Sequence, residues 1–176
     1  MRVISGKVRG HKLLAPTGLD VRPTLDRVKE ACFSSLMPYL QDAVVLDLFS
    51  GSGSLGIEAL SRGAAYCDFV DRANASLTAT RKNLEATRLK DLSGTHLADW
   101  KAFLKGTNKK YTLVFLDPPY SKDIENEVMA VLPSVMADDG IVMLETEYTP
   151  SDFSGFTLLK QSKYGRVFLT FYKKES

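Results

Sequence analysis

The chain has 176 residues, of which 44% are hydrophobic and 25% charged, values typical of one globular domain with a full core. No apolar stretch approaches the ~20 residues that span a bilayer, and the first residues lack the apolar region of a secretory signal. Cys32 and Cys67 are too few for a disulfide framework and lack metal-ligand spacing. We therefore expect buried free thiols, no metal and a cytoplasmic location.

Positive charge is concentrated at the N-terminus. The whole chain has a net charge of +2, but residues 1–30 contain seven basic and three acidic side chains, a net +4. A basic end on a near-neutral body favours an anionic macromolecular partner. Charge alone is equally compatible with a solvated basic face.

The first third of the chain is predicted to form a hairpin and a helix. Residues 1–15 alternate around the turn formers Gly6 and Gly10, which indicates a basic β-hairpin. After a loop, Thr24 is a favourable N-cap, and Pro38 closes the helix. The buried face of that helix is predicted to consist of Leu25, Val28, Cys32 and Leu36.

From residue 43 onwards, strand and helix patterns alternate. Buried strands are predicted at 44–48, 66–71, 95–98, 111–116 and 141–145, and helices at 54–62, 75–89 and 124–136. Two tail strands, 156–160 and 167–172, are joined by a turn containing Gly165 and predict an antiparallel hairpin. The pattern predicts an α/β fold, a doubly wound three-layer sandwich with an antiparallel edge.

A glycine-rich turn follows the first of these strands. Gly51, Gly53 and Gly56 form G-x-G-x-x-G between a strand and a helix, the context required for nucleotide binding. Such glycines let backbone N–H groups approach a ligand closely. Asp71 ends the next strand, 20 residues beyond Gly51, where a carboxylate can hold ribose hydroxyls.

Asp47 decides which nucleotide-like cofactor the turn favours. A carboxylate at the end of the first strand would repel a pyrophosphate and attract a cation, such as the amino or sulfonium group of S-adenosylmethionine. Asp99 ends the third strand and is placed to accept from an adenine amino group, with Trp100 beside the ring; a helix N-cap and a core tryptophan are the structural alternatives. The candidate cofactor residues are Asp47, Phe49, Gly51, Gly53, Asp71, Asp99 and Trp100.

The stretch Asp117-Pro118-Pro119-Tyr120 follows the fourth strand directly. Two prolines end the strand and stiffen its carboxyl edge, which is where open α/β sheets bind ligands. The Asp117 carboxylate and the Pro118 carbonyl can accept both N–H bonds of an exocyclic amine and aim its lone pair at a methyl group. Tyr120 can stack on a base that has been flipped out of a folded nucleic acid. These four residues are the candidate catalytic set, and the motif alone leaves guanine, adenine and glutamine amides open.

Several segments together resemble the bacterial small-subunit ribosomal RNA guanine-N2 methyltransferases, the RsmD family, along nearly the whole chain. The Gly turn and the Asp-Pro-Pro-Tyr motif are shared with many methyltransferases, whereas Val21-Arg22-Pro23-Thr24 and Leu60-Ser61-Arg62-Gly63 are more discriminating. The matching segments also include 1–6, 9–10, 26–30, 45–53, 56–63, 115–120 and 163–165.

The resemblance implies a Rossmann-like, seven-stranded S-adenosylmethionine-dependent methyltransferase fold acting on one guanine of ribosomal RNA in an assembling small subunit. It implies RNA docking by the N-terminal extension, so we expect an RNA-docking extension over residues 1–22 and a catalytic domain over 23–176. We expect a monomer because the sequence has no obvious exposed apolar stripe. Two departures are Ser50, where the family usually has Ala, and Arg72, where it more often has an acid. The residues expected to contact RNA phosphates are Arg2, Arg9, Lys12, Arg22 and Arg27.

Other functions remain open on the residues alone. An adenine-N6 nucleic-acid methyltransferase and a glutamine-N5 protein methyltransferase use related Pro-Pro-Tyr motifs, although DNA enzymes usually add a target-recognition domain for which this chain has no room. A non-catalytic RNA-binding assembly factor would keep the fold without the chemistry. A NAD dehydrogenase lacks a convincing acid/base pair here, because His11 and His96 are the only histidines.

Overall fold

The computed structural model describes residues 1–18, 26–119 and 122–176, so the predictions for Arg22, Thr24, Leu25 and Tyr120 lie outside the described residues. The helices are α1 (Asp26–Leu36), α2 (Ser54–Ser61), α3 (Asn74–Ala86), α4 (Trp100–Gly106) and α5 (Lys122–Val131). The strands are β1 (Val44–Asp47), β2 (Tyr66–Asp71), β3 (Ser93–Leu97), β4 (Tyr111–Leu116), β5 (Met136–Thr146), β6 (Phe156–Tyr164) and β7 (Val167–Lys174).

The strands form one sheet in the order β3-β2-β1-β4-β5-β7-β6. The first five pair in parallel, and β7 pairs antiparallel with both β5 and β6. The order in which strands are added therefore reverses at β1. The chain places β2 and β3 on one side of β1, and then returns to place β4 on the other side. This topological switch opens a crevice at the carboxyl ends of these strands.

Successive side chains along a strand alternate between the two faces of the sheet and pack into two separate hydrophobic cores. In β4, Leu113 and Phe115 pack with α1 and α2, whereas Val114 and Leu116 pack with α4 and α5. This alternation is the two-residue period of a strand buried on both faces. The predicted three-layer α/β sandwich with an antiparallel edge hairpin is confirmed.

Several element boundaries differ from the prediction. The expected helix over 124–136 is wrong at its end, because α5 stops at Val131, a 3₁₀ turn covers Leu132–Val135, and β5 begins at Met136. Pro133 supplies no N–H for continuing the α-helix. Helix α4 was not predicted as a helix, since seven residues give little periodicity.

The two cysteines match the expectation. Cys32 and Cys67 are free and buried. Burial raises the pKa of both thiols, so neither is a thiolate at neutral pH. Within the described ranges, no helix is long and apolar enough to cross a membrane.

The N-terminal segment (residues 1–14) folds back on itself but is less regular than the predicted hairpin. It contains one antiparallel bridge, Arg2 with Lys12, and turns between them, rather than two regular strands. Val3 and Leu13 enter the core beneath α1 and α2. At Gly6, where φ is +88°, an added Cβ would lie 2.0 Å from the Ser61 carbonyl oxygen, so only glycine permits this close approach to α2.

A buried ion pair fixes α1 and α2 to the N-terminal segment. Lys29 Nζ lies 3.2 Å from Glu58 Oε2, and the two side chains are 1% and 0% exposed. Glu58 also accepts from the Ile4 and Ser5 amides at 2.9 and 3.0 Å and from Arg62 Nε at 2.8 Å. Burial lowers the pKa of Lys29, and the neighbouring Glu58 opposes that shift.

Glu58→Gln should lower the free energy of unfolding by about 3–5 kcal/mol, because it leaves the buried Lys29 ammonium without its counter-ion. Urea denaturation measures the loss. The matched control is Asp26→Ala, which breaks the exposed pair between Arg2 Nε and Asp26 Oδ2 and should cost less than about 1 kcal/mol. Equal losses in the two variants would contradict the importance of the buried pair.

Candidate active site

The carboxyl ends of the parallel strands surround a cleft of about 190 Å³. Strand β1 lies between β2 and β4, with Asp47 in register with Phe69 and Phe115, so the loops after these strands converge. The predicted site residues that line this cleft are Phe49, Gly51, Asp71, Asp99, Trp100, Asp117 and Pro119. The structure therefore brings together residues from four separate segments of the chain.

The glycine turn is shaped for close approach by a ligand. Gly51 and Gly53 have φ values of 54° and 79°, and no atom lies within 4 Å of a Cβ added at Gly51. Gly56 has a different role, because an added Cβ would lie 2.3 Å from the Phe69 ring. The first glycine thus faces the open cleft, and the third allows α2 to pack closely on β2.

Asp71 is fixed by backbone donors. The Gly51 amide donates to Asp71 Oδ2 and the Ala73 amide to Oδ1, both at 2.9 Å. The half-buried carboxylate lines the cleft while it holds the glycine turn. Each carboxylate oxygen retains a second lone pair that can accept from a ligand hydroxyl.

Asp47 lies behind the glycine turn rather than in the cleft lining. It is 2% exposed, and its Oδ2 accepts from the Gly56 amide at 3.1 Å. Burial raises the pKa of Asp47 to about 7, with further contributions from the nearby charges of Asp117 and Asp71. Gly53 is likewise absent from the lining and forms the N-terminal boundary of α2. These two predicted residues act at the back of the turn.

Asp117 and the two prolines form the opposite wall. Asp117 is half-buried at the carboxyl end of β4, Pro118 is buried, and Pro119 is exposed at the cleft. Burial raises the pKa of Asp117 to about 6, so the carboxylate is still mainly ionised at neutral pH. It can therefore act as a hydrogen-bond acceptor there.

Asp99 and Trp100 begin helix α4. Asp99 Oδ1 accepts from the Lys101 amide at 2.9 Å, which is an N-cap interaction. Both residues nevertheless line the cleft, Asp99 as an exposed side chain and Trp100 as a half-buried one. Asp99 can therefore cap α4, as the sequence suggested, and also face a ligand in the cleft.

Some lining residues were missed by the sequence analysis. They are Leu48, Arg72, Ser76, Ala98 and Ile124. Arg72 and Ala98 directly follow strand ends, and that position alone marks them as neighbours of the site. Ser76 and Ile124 lie within helices, where no local sequence signal distinguishes them.

The described basic residues expected to contact RNA lie outside the cleft lining. Arg2, Arg9, Lys12 and Arg27 are all exposed. Arg2 alone among these four has an ion-pair partner in the described part of the chain, Asp26 at 2.9 Å.

The sheet order, the reversed seventh strand and the cleft at the carboxyl edge define the Rossmann-like fold of S-adenosylmethionine-dependent methyltransferases. Residues 1–173 match the family model described as conserved hypothetical protein 95. The chain belongs to that family, the RsmD family.

Two curated relatives cover nearly the whole chain. YlbH of Bacillus subtilis is 35% identical over 99% of each chain. Ribosomal RNA small subunit methyltransferase D of Escherichia coli K12 is 32% identical, covering 100% of this chain and 91% of the relative. The solved structure of yhhF from Escherichia coli superposes with a TM-score of 0.88 at 32% identity, covering 99% of this chain and 98% of that one.

Asp47→Asn should stabilise the ligand-free protein at high pH. A carboxylate whose folded pKa is about 7, against ~4 when unfolded, favours the native state only while protonated, so stability falls as the pH rises through that interval. The gain in free energy of unfolding should grow by at least about 1 kcal/mol between pH 5.5 and pH 8. Urea denaturation at the two pH values tests this, with the exposed Asp152→Asn as control; a pH-independent difference would refute the buried titration.

Proposed function

We propose that this chain transfers a methyl group from S-adenosylmethionine to the exocyclic N2 amine of a guanine in small-subunit ribosomal RNA. The observation that carries the proposal is that the Asp117 carboxylate lines the same cleft as the glycine turn and Asp71. The residues that we propose to bind the amine and those that we propose to bind the cofactor therefore line one cleft. Family membership and the name of the Escherichia coli relative support ribosomal RNA as the substrate class.

The cofactor's part of the site fits the chemistry of the residues present. When bound, S-adenosylmethionine supplies an activated methyl group. Asp71 would accept from ribose hydroxyls, while Trp100 and Asp99 would face the adenine. The carboxylates of Asp47 and Asp71 would give this part of the sheet edge a negative potential that favours a cationic ligand over a pyrophosphate.

The substrate's part depends on Asp117 and the Pro118 carbonyl. An exocyclic amine is a poor nucleophile because its lone pair is delocalised into the ring. Two acceptors on its N–H bonds would orient the nitrogen and favour the pyramidal geometry of the attacking state. Methylation leaves the nitrogen with an extra proton, and a carboxylate with a pKa of about 6 is suited to take it and release it to solvent.

The RNA would dock through its phosphates. Exposed cations at the N-terminal end, together with Arg22 outside the described residues, would add salt-sensitive affinity with little base specificity. The target base would be flipped out to reach the cleft, where Tyr120 would stack on it. We propose that the chain acts as a cytoplasmic monomer on an assembling small subunit.

Labelled S-adenosylmethionine tests the reaction directly. With small-subunit RNA or partly assembled subunits from cells lacking the enzyme, we expect label in RNA and N2-methylguanosine among the digested nucleosides. N6-methyladenosine would indicate the adenine alternative, and label only in protein would indicate a glutamine methyltransferase. No transfer despite cofactor binding would favour an assembly factor.

Asp117→Ala should lower turnover by about 100-fold or more while cofactor affinity stays near that of the parent, because the lost acceptor acts on the amine. Single-turnover kinetics and calorimetry separate the two effects. The exposed Asp152→Ala is the control and should leave turnover unchanged. Near-parental turnover of Asp117→Ala would reject the assigned role.

The pH dependence gives an independent check on Asp117. Because its folded pKa is raised to about 6, the carboxylate becomes protonated and loses its acceptor capacity as the pH falls through that value. Turnover should therefore decline below about pH 6, tenfold per pH unit in the limit. A rate that is flat from pH 7.5 to pH 5, measured with RNA and cofactor saturating, would argue against this titration.

A further inference from the structure

Buried polar side chains on three helices hold the N-terminal segment. Lys29 in α1 donates to the Arg2 carbonyl at 2.6 Å. In α2, Glu58 accepts from two amides of the segment, and Ser61 Oγ donates to the Ser5 carbonyl at 2.6 Å. Asn83 in α3 accepts from the Leu14 amide at 2.8 Å and donates to the Leu14 carbonyl at 2.9 Å.

Two of these anchors also hold the glycine turn. Asn83 Nδ2 donates its second hydrogen bond to the Ser52 carbonyl at 2.9 Å, and Asn83 is 1% exposed. Ser52 lies between Gly51 and Gly53, which both have positive φ. Lys29 Nζ similarly donates to Ser54 Oγ, at 3.0 Å. The back of the turn and the N-terminal segment therefore share the same buried donors.

The Asn83 side-chain amide commits both of its N–H donors to these two segments. Its two N–H groups and its oxygen are all engaged, two groups with Leu14 and one with Ser52. A side chain in this position transmits displacement of one segment to the other, because moving either one leaves a buried polar group unpaired. A glycine-rich turn is otherwise free to sample many conformations.

We propose that residues 1–14 form part of the cofactor-binding unit, with Asn83 as the positioning residue that joins them to the glycine turn. The segment thus has a role beyond RNA docking, because it orders the turn before the ligand arrives. Ordering a loop in advance removes part of the entropy cost of binding. This inference rests on the proposed function in that the turn is taken to hold the cofactor.

Calorimetric titration with S-adenosylhomocysteine, in the absence of RNA, tests this positioning role. Asn83→Ala should weaken binding by about tenfold or more, because the Ser52 carbonyl loses its buried donor. The matched control is Thr170→Ala, which removes the buried hydroxyl on β7 that accepts from Gln161 Nε2 at 3.2 Å, and it should change affinity by less than about twofold. Equal affinities of Asn83→Ala and the parent, with the parent binding, would overturn this inference alone.

Amide exchange in the unmodified protein gives a second test that requires no variant to fold. The Leu14 amide reports the link to the turn through Asn83, whereas the Val8 amide, 3.1 Å from Ser61 Oγ, reports the segment alone. Saturating S-adenosylhomocysteine should slow Leu14 exchange at least about threefold more than Val8 exchange. Unchanged Leu14 exchange with the ligand bound would overturn the inference, and absence of binding would reject the cofactor assignment as well.

Discussion

Around the site, the structure depends on the burial of one carboxylate. Glu58 is fully buried in α2, where an isolated charge would cost several kcal/mol. It is retained because four donors surround it: the Lys29 ammonium, the Arg62 guanidinium and the Ile4 and Ser5 amides. These donors come from α1, from the residue that follows α2 and from the N-terminal segment. The need to neutralise the Glu58 carboxylate therefore determines how these three parts of the chain pack together behind the glycine turn.

A second cluster of carboxylates lies at the carboxyl edge of the sheet, where neighbouring groups carry charges of the same sign. The charges of Asp117 and Asp71 lie close enough to Asp47 to raise the pKa of its carboxyl group. When these carboxylates are ionised, their mutual repulsion lowers the stability of the folded protein.

The sequence was most informative where local pattern and tertiary environment agree. Strands β2 and β4 match their predicted bounds because continuous apolar runs between polar turn residues have few alternatives. The alternation of strands and helices also predicted the layers. It failed at the end of α5, where Pro133 lies just beyond the helix, and at α4, which has only seven residues.

The candidate site shows a similar division. The strand ends and the glycine spacing were sufficient to identify residues that line one cleft. The chemical roles of these residues remain predictions. The position of Asp47 behind the turn could not be predicted, because it depends on how closely α2 packs on β2 at Gly56. The Asn83 contacts were equally inaccessible, since no motif marks a hydrogen bond across 69 residues.

The long sequence separation of these anchors matters during synthesis of the chain. A ribosome makes residues 1–14 before their partners Glu58 and Asn83, which follow 54 and 69 positions after Ile4 and Leu14. The segment cannot reach its final contacts until α3 has left the exit tunnel. Its apolar residues Val3 and Leu13 remain uncovered for that interval. Vectorial synthesis thus places completion of the glycine turn's support after the first three helices and two strands.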